Sequence, residues 1–187
     1  MKRLLLISGP IAAGKSAIAA NLIEQHGFLS IRSGGYLKEL AESKGIGSSR
    51  ADLQVLGDEL DAATDYRWLI DDIAAKIFEK NQQQDFWLFD SVRKHRQVLH
   101  FKNAYKKETL HVHLTAPESI LKQRYEKRSD TGGEYSGATP YGLARIHPNE
   151  IASRSLIEIA DFIFDVSQTP PEKTATEIIK NWNAGGV

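Results

Sequence analysis

Gly9-Pro10-Ile11-Ala12-Ala13-Gly14-Lys15-Ser16 follows directly on the apolar run Leu4-Leu5-Leu6-Ile7 and runs into the helix-forming stretch Ala17-Ile18-Ala19-Ala20-Asn21-Leu22-Ile23. The octapeptide is a full G-x-x-x-x-G-K-S pattern. A strand before it and a helix after it separate a phosphate-binding loop from a glycine turn with an incidental lysine. Glycines let successive backbone N–H groups converge on an anion, and the N-terminus of the next helix adds its positive end. In such a loop Lys15 reaches the outer phosphates and the Ser16 hydroxyl ligates Mg²⁺. Gly9, Ala12, Ala13, Gly14, Lys15, Ser16 and Ala17 are therefore the expected contacts of a nucleoside triphosphate.

The surrounding chain suits that reading. Its 187 residues are enough for one domain with a substantial core. The 24 basic and 24 acidic residues cancel, which gives no support to strong non-specific nucleic-acid binding. No cysteine is present, so disulfides, zinc knuckles and a cysteine nucleophile are excluded, and a cytoplasmic location is compatible. The N-terminal apolar run is too short for a signal peptide or a membrane span.

Short apolar runs at residues 4–8, 28–31, 86–89, 110–114 and 162–166 alternate with helical patterns. Their brevity and their β-branched and aromatic content fit a buried parallel sheet with crossover helices. Leu53, Leu56, Gly57 and Leu60 keep helical phase; Leu69, Ile70, Ile73, Ala74, Ile77 and Phe78 form a wider stripe. Thr115-Ala116-Pro117-Glu118 and Thr169-Pro170-Pro171-Glu172 each announce a helix start, the second leading a stripe of Ala175, Ile178, Ile179 and Trp182. These stripes read as core. No repeat or low-complexity linker interrupts the chain.

Residues 129–148 stand apart, rich in Gly, Ser, Thr and Tyr and without apolar periodicity, so a long loop or flap is expected there. Arg124, Arg128, Arg145 and Arg154 bracket it. That arrangement suits a lid closing over phosphates, the alternative being a surface loop with solvated arginines. A second constellation ends the run Phe86-Trp87-Leu88-Phe89 with Asp90-Ser91-Val92-Arg93. A carboxylate at the C-terminal end of a buried strand faces the crevice where α/β proteins place ligands. Asp90 can hold Mg²⁺, directly or through water, and can also cap the next helix. Arg93 can offer its planar fork to a second phosphate.

The phosphate-binding loop, the strand-terminal D-x-x-R and a lid opening with Arg124-Tyr125-Glu126-Lys127-Arg128 resemble the P-loop nucleoside and nucleotide kinases. The sequence is most similar there to the dephospho-CoA-kinase-like and phage-type deoxynucleoside monophosphate kinases. Ser33-Gly34-Gly35-Tyr36-Leu37-Lys38 sits where such proteins begin their acceptor-binding helices, and Arg154 with Glu158-Ile159-Ala160-Asp161 resembles their lid-end arginine and entry to the last strand. Ser91, where the family's D-G-x-R stretch has glycine, and the long Gly/Tyr-rich lid are departures that bear on the acceptor.

The resemblance implies one three-layer α/β/α P-loop kinase domain over residues 1–187. It has a five-stranded parallel sheet of order 2-3-1-4-5, acceptor-binding helices over about 34–80 and a lid over about 124–154. It implies ATP as phosphoryl donor with Mg²⁺. Lys15, Asp90, Arg124 and Arg128 are its expected catalytic residues, and Ser16 and Asp90 its metal ligands. Arg32, Gly35, Lys38, Arg93 and Arg154 are expected on the acceptor, with Tyr36, Leu37, Leu53, Leu56 and Asp58 as a base-contacting platform. A (deoxy)nucleoside monophosphate is the expected acceptor. Dephospho-CoA, a hydroxymethylated base in DNA, and an ATP-binding regulatory module are the alternatives. A hydroxyl acceptor would need Asp90 as its base, whereas a monophosphate needs none.

His111 and His113, at i and i+2, share one face of a strand, but no third ligand at suggestive spacing makes a metal site, and hydrogen-bonded histidines are expected. The basic stretch of Lys94, His95, Arg96, His100, Lys102, Lys106 and Lys107 reads as a solvated helix face, with a DNA-facing surface as the minority reading. No membrane partner is expected, and monomer and homodimer stay open.

Overall fold

The computed structural model describes residues 2–130 and 139–184. Its five strands form one parallel sheet, order β2-β3-β1-β4-β5, as expected. β1 (Arg3–Ser8) lies at the centre between β3 (Phe86–Phe89) and β4 (Thr109–Thr115); Leu5 is paired with Leu88 on one side and Leu110 on the other. Successive side chains of a strand leave opposite faces, so both faces of β1 must be covered. Leu5 and Ile7 enter a core with Ile18, Leu22, Ile178 and Trp182, while Leu4 and Leu6 enter another with Trp68, Ile73, Trp87 and Phe101.

Helices α1 (Lys15–His26), α6 (Glu118–Asp130) and α9 (Pro171–Ala184) contribute to the first core. The second receives α2 (Ser33–Ser43), α3 (Arg50–Ala63), α4 (Ala75–Lys80) and α5 (His95–Tyr105). The strand ends converge on one rim, where the loop after β1 and the loop after β3 meet.

Three local findings differ from the pattern. The stripe beginning at Leu69 is π-helical over Leu69–Ala74 before becoming α4, with Ala75 N–H donating to Ile70 O. The wider turn buries Leu69, Ile70, Ile73 and Ala74 together, which is what broadened the stripe. The outer strands are short edges: β2 is only Leu29–Ser30, and β5 (Phe162–Asp165) leaves Ile163 half exposed.

The third difference concerns the segment expected as a long loop. Residues 131–138 lie outside the described residues, but α7 (Tyr141–Ala144) and α8 (Pro148–Ser155) follow. Pro148 starts α8, and His147 Nδ1 accepts from Asn149 N at 3.2 Å as its cap. The buried residues here are Tyr141, Asn149 and Ser153, two of them polar, so no apolar periodicity announced these helices. Among the described residues, no helix is long and apolar enough to cross a membrane.

Candidate functional site

The turn from β1 into α1 is shaped by Gly9 (φ +141°), Ala12 (φ 65°) and Gly14 (φ 90°), with Ala13 N donating to Pro10 O at 3.2 Å. Lys15 Nζ folds back onto the carbonyls of Gly9 (2.6 Å) and Pro10 (2.9 Å). Desolvation, opposed by the carboxylate of Glu150, pushes its ammonium down to about 8. A desolvated cation bonded only to neutral carbonyls, at the mouth of a helix N-terminus, is a site short of an anion. It fits a nucleotide's phosphates.

Two cavities meet at this loop. One, about 360 Å³, is lined by Ala13, Gly14, Ala17, Ile18, Arg124 and Arg128, with Val166, Thr169 and Pro171 from the β5–α9 connection. The other is a cleft of about 610 Å³ lined by Ile11, Ala12, Lys15 and Ser16, by Asp90 and Arg93, and by Arg128, Asn149, Glu150 and Ser153. Gly14 and Arg128 border both, so a nucleoside in the first cavity would lead its phosphates into the second.

Beyond the cleft lies a pocket of about 190 Å³ walled by Leu37, Leu53, Leu69, Trp68 and Phe89, with Asp58 and Asp61 at its polar side. Gln54, Ser91, Arg93 and Asn149 border both spaces. Arg93 is thus the cation at their junction.

Among the described residues, neither the Asp90 carboxylate nor the Arg93 guanidinium has a hydrogen-bond or ion-pair partner. Asp90 and the Ser16 hydroxyl face the same cleft, an all-oxygen pair that suits Mg²⁺. No group of three or more metal-ligating side chains occurs among the described residues.

Other expected site residues go elsewhere. Arg124 donates to the carbonyls of Val166 (2.7 Å) and Ser167 (3.3 Å), which ties it to the first cavity rather than the cleft. Arg154 and Arg145 are held by Glu118: Arg154 Nη1 lies 3.0 Å from Oε2, Arg145 Nη1 2.9 Å from Oε1, and the Tyr141 hydroxyl donates to Oε1 at 2.9 Å. Burial works against ionisation of Glu118, yet the bonds from Arg154 and Tyr141 hold it below the usual carboxylate range. Arg32, Gly35 and Lys38 are exposed and line none of the three cavities. Leu37, Leu53 and Asp58 of the expected platform line the pocket; Leu56 is buried in the core, and Tyr36 stacks behind Trp68 at 5.8 Å.

The sequence did not single out the residues that join these parts. Glu150 Oε1 accepts from Ile11 N at 2.7 Å, and Ser153 Oγ donates to Gly9 O at 3.2 Å, so α8 is fastened to the phosphate-binding loop. Asp61, buried, accepts from Trp68 Nε1 at 2.8 Å and from Gln97 Nε2 at 3.1 Å. Gln97 Oε1 in turn accepts from Arg93 N and Lys94 N, fixing the backbone that carries Arg93. The only signals for them were an acidic residue just after Pro148 and polar residues in otherwise amphipathic helices.

The histidine pair is internal structure: Ser8 Oγ lies 2.7 Å from His111 Nε2 and 2.9 Å from His113 Nδ1. Three cations of the basic stretch are paired within the molecule, Lys94 with Asp58, Arg96 with Asp65 and Lys102 with Asp161, and His100 Nε2 lies 2.8 Å from the carbonyl oxygen of Asp65.

Residues 5–139, more than two thirds of the chain, match the family model described as an AAA domain. The chain belongs to the AAA-domain family. The phosphate-binding loop and Asp90 both lie within the matched part of this AAA domain. No curated protein matches the chain in sequence.

Solved structures share its fold. YorR from Bacillus subtilis, in complex with phosphorylated GDP, is 21% identical with a TM-score of 0.54, over 96% of this chain and 95% of that one. The gluconokinase from Sinorhizobium meliloti is 17% identical, TM-score 0.52, over 98% and 93%. The shikimate kinase from Acinetobacter baumannii, in complex with shikimate, is 15% identical, TM-score 0.57, over 100% and 96%. At these identities the likeness establishes the fold, which is that of the P-loop kinases.

Proposed function

We propose that the chain is an ATP-dependent phosphotransferase acting on a small phosphorylated acceptor, and that this acceptor is a (deoxy)nucleoside monophosphate. The observation that carries the reading is Arg93, a guanidinium without a partner among the described residues, at the junction between the phosphate cleft and a flat-walled pocket. A planar fork there suits the acceptor's own phosphate, and Leu37, Leu53, Leu69 and Trp68 suit the faces of a base.

In this reading the Arg124–Val166 contact shapes the cavity for the donor's nucleoside. Lys15 moves off the Gly9 and Pro10 carbonyls onto the outer phosphates, and Arg128, which borders both donor cavities, neutralises charge on the transferred group. Ser16 and Asp90 would hold Mg²⁺, which supplies further neutralisation of the phosphates when bound. An acceptor phosphate oxygen forms the new P–O bond as the bond to the leaving diphosphate breaks, so Asp90 need not take a proton. Catalysis is then mainly positioning and charge.

One observation favours a second acceptor, a polyhydroxylated one. Asp58 and Asp61 give the pocket carboxylates that could accept from hydroxyls, and the gluconokinase and shikimate kinase act on such molecules. The basic stretch, three of its cations paired within the molecule, offers no support for the DNA reading.

Coupled ADP-release assays over nucleoside monophosphates, dephospho-CoA, sugar acids and modified DNA test this directly. At least one monophosphate should stimulate turnover, and Arg93→Ala should raise its KM by about tenfold or more while leaving ATP affinity nearly unchanged. Turnover with a sugar acid and with no monophosphate would reject the leading reading.

A further inference from the structure

Both spaces touch the phosphate-binding turn at Gly14; the first cavity continues to Ala13, Ala17 and Ile18, whereas the cleft continues to Lys15 and Ser16 and to the outer arm at Ala12 and Ile11. A donor laid from one to the other therefore brings its terminal phosphate to the Ile11 end. Pro10 has no N–H, so the N–H of Ile11 is the first donor after Gly9 on that outer arm. It is already taken. Glu150 Oε1 accepts it at 2.7 Å and also accepts from Arg154 Nε at 3.2 Å, while Arg154 keeps a second anchor on Glu118 at 3.0 Å. The Glu150 side chain is only 14% exposed and borders the cleft. An anionic group thus holds the amide where a terminal phosphate would need it, and with it an arginine that does not line the cleft itself.

Resting on the donor reading above, we propose that Glu150 is a positioning residue that discriminates the terminal phosphate: it holds the Ile11 amide and Arg154 in place and yields both as that phosphate enters. The carboxylate keeps the loop's outer arm and α8 preorganised while no phosphate is there. A donor lacking the terminal phosphate leaves the Glu150 contacts intact. One that carries it meets a like charge at close range and displaces the carboxylate, so its binding and the release of Ile11 N and Arg154 by Glu150 are one event. Ser153 Oγ on Gly9 O keeps α8 attached to the loop during the exchange.

The test is calorimetric binding of the β,γ-imido analogue of ATP and of ADP, each with Mg²⁺, to the full chain and to Glu150→Gln. The amide can still accept from Ile11 N but carries no charge. The analogue should tighten about tenfold and ADP by less than twofold, because only the analogue meets the lost charge. Glu150→Ala, which removes the charge and the contact with Ile11, should give a differential of the same sign and serves if Glu150→Gln folds poorly. Equal changes for both nucleotides, or none, would mean that Glu150 merely fastens α8 to the loop and would overturn the proposal. If the wild-type chain binds neither nucleotide, the donor reading falls and this inference with it.

Discussion

A methyl group added to Gly9 would lie 2.6 Å from the carbonyl oxygen of Leu114 in β4, and the residue's φ of +141° is itself hard for any side chain to adopt. The first constraint comes from a neighbouring strand, the second from the turn that aims the loop's amides. Gly9→Ala should therefore lower unfolding free energy by about 2–3 kcal/mol. Denaturant titration would measure it, and nucleotide affinity should fall along with stability. Ala12 shows what a side chain can tolerate there: at φ 65° it occupies the left-handed region with only a methyl, buried beside the phosphate site. The place of Lys15 and Ser16 at the cleft was legible in the sequence because chain-adjacent geometry sets it. Glu150 was not, since its partner Ile11 is 139 positions away.

Among the elements, α3, α5 and the turn before the π-helical stretch are tied together at one buried carboxylate. Asp61 joins Trp68 to Gln97, and Gln97 holds the backbone N–H groups of Arg93 and Lys94. Burial raises the Asp61 carboxyl, and the bonds from Trp68 and Gln97 oppose that shift. Asp61→Ala would leave an indole N–H and an amide buried without acceptors, at a cost of about 2–3 kcal/mol. Because the same chain of bonds sets Arg93, it should also raise the acceptor KM. Thermal melts and acceptor titrations of the variant measure the two effects. A stability loss with unchanged acceptor KM would show that Arg93 is positioned independently of α3. The alternation of strands and amphipathic helices was readable from periodicity. The helices α7 and α8 were not, because they bury isolated polar and aromatic residues rather than a stripe.

For the molecule as a whole, the central strand is buried on both faces, and a polar cluster of Ser8, His111 and His113 joins its end to β4. Desolvation pushes His111 and His113 down to about 4, the second lowered further by the first. An unfolded histidine titrates near 6.5, so between about pH 6.5 and 4 the unfolded chain binds more protons than the folded one. The two histidines should accordingly add no pH dependence above about pH 6.5 and lower stability as the pH drops through that window. His113→Asn should reduce the slope, as melting temperatures in buffers from pH 7 to pH 4 would show. A melting temperature that stays level to pH 4.5 would place the two rings in a more solvated setting than Ser8 and β4 provide.

Local pattern alone carried the alternation of strands and helices, the phosphate-binding loop and the carboxylate at the end of β3. Each of these is written in residues adjacent along the chain or in a repeating apolar period; the strand order came with the resemblance to the P-loop kinases. Only the tertiary structure decided which arginines meet the cleft. Arg93 and Arg128 border it, Arg124 turns to the β5–α9 carbonyls, and Arg145 and Arg154 are held by Glu118. The physical reason is that a guanidinium goes to the strongest acceptor within reach. Which carboxylates and carbonyls are within reach is set by how distant segments pack, and no local pattern encodes it.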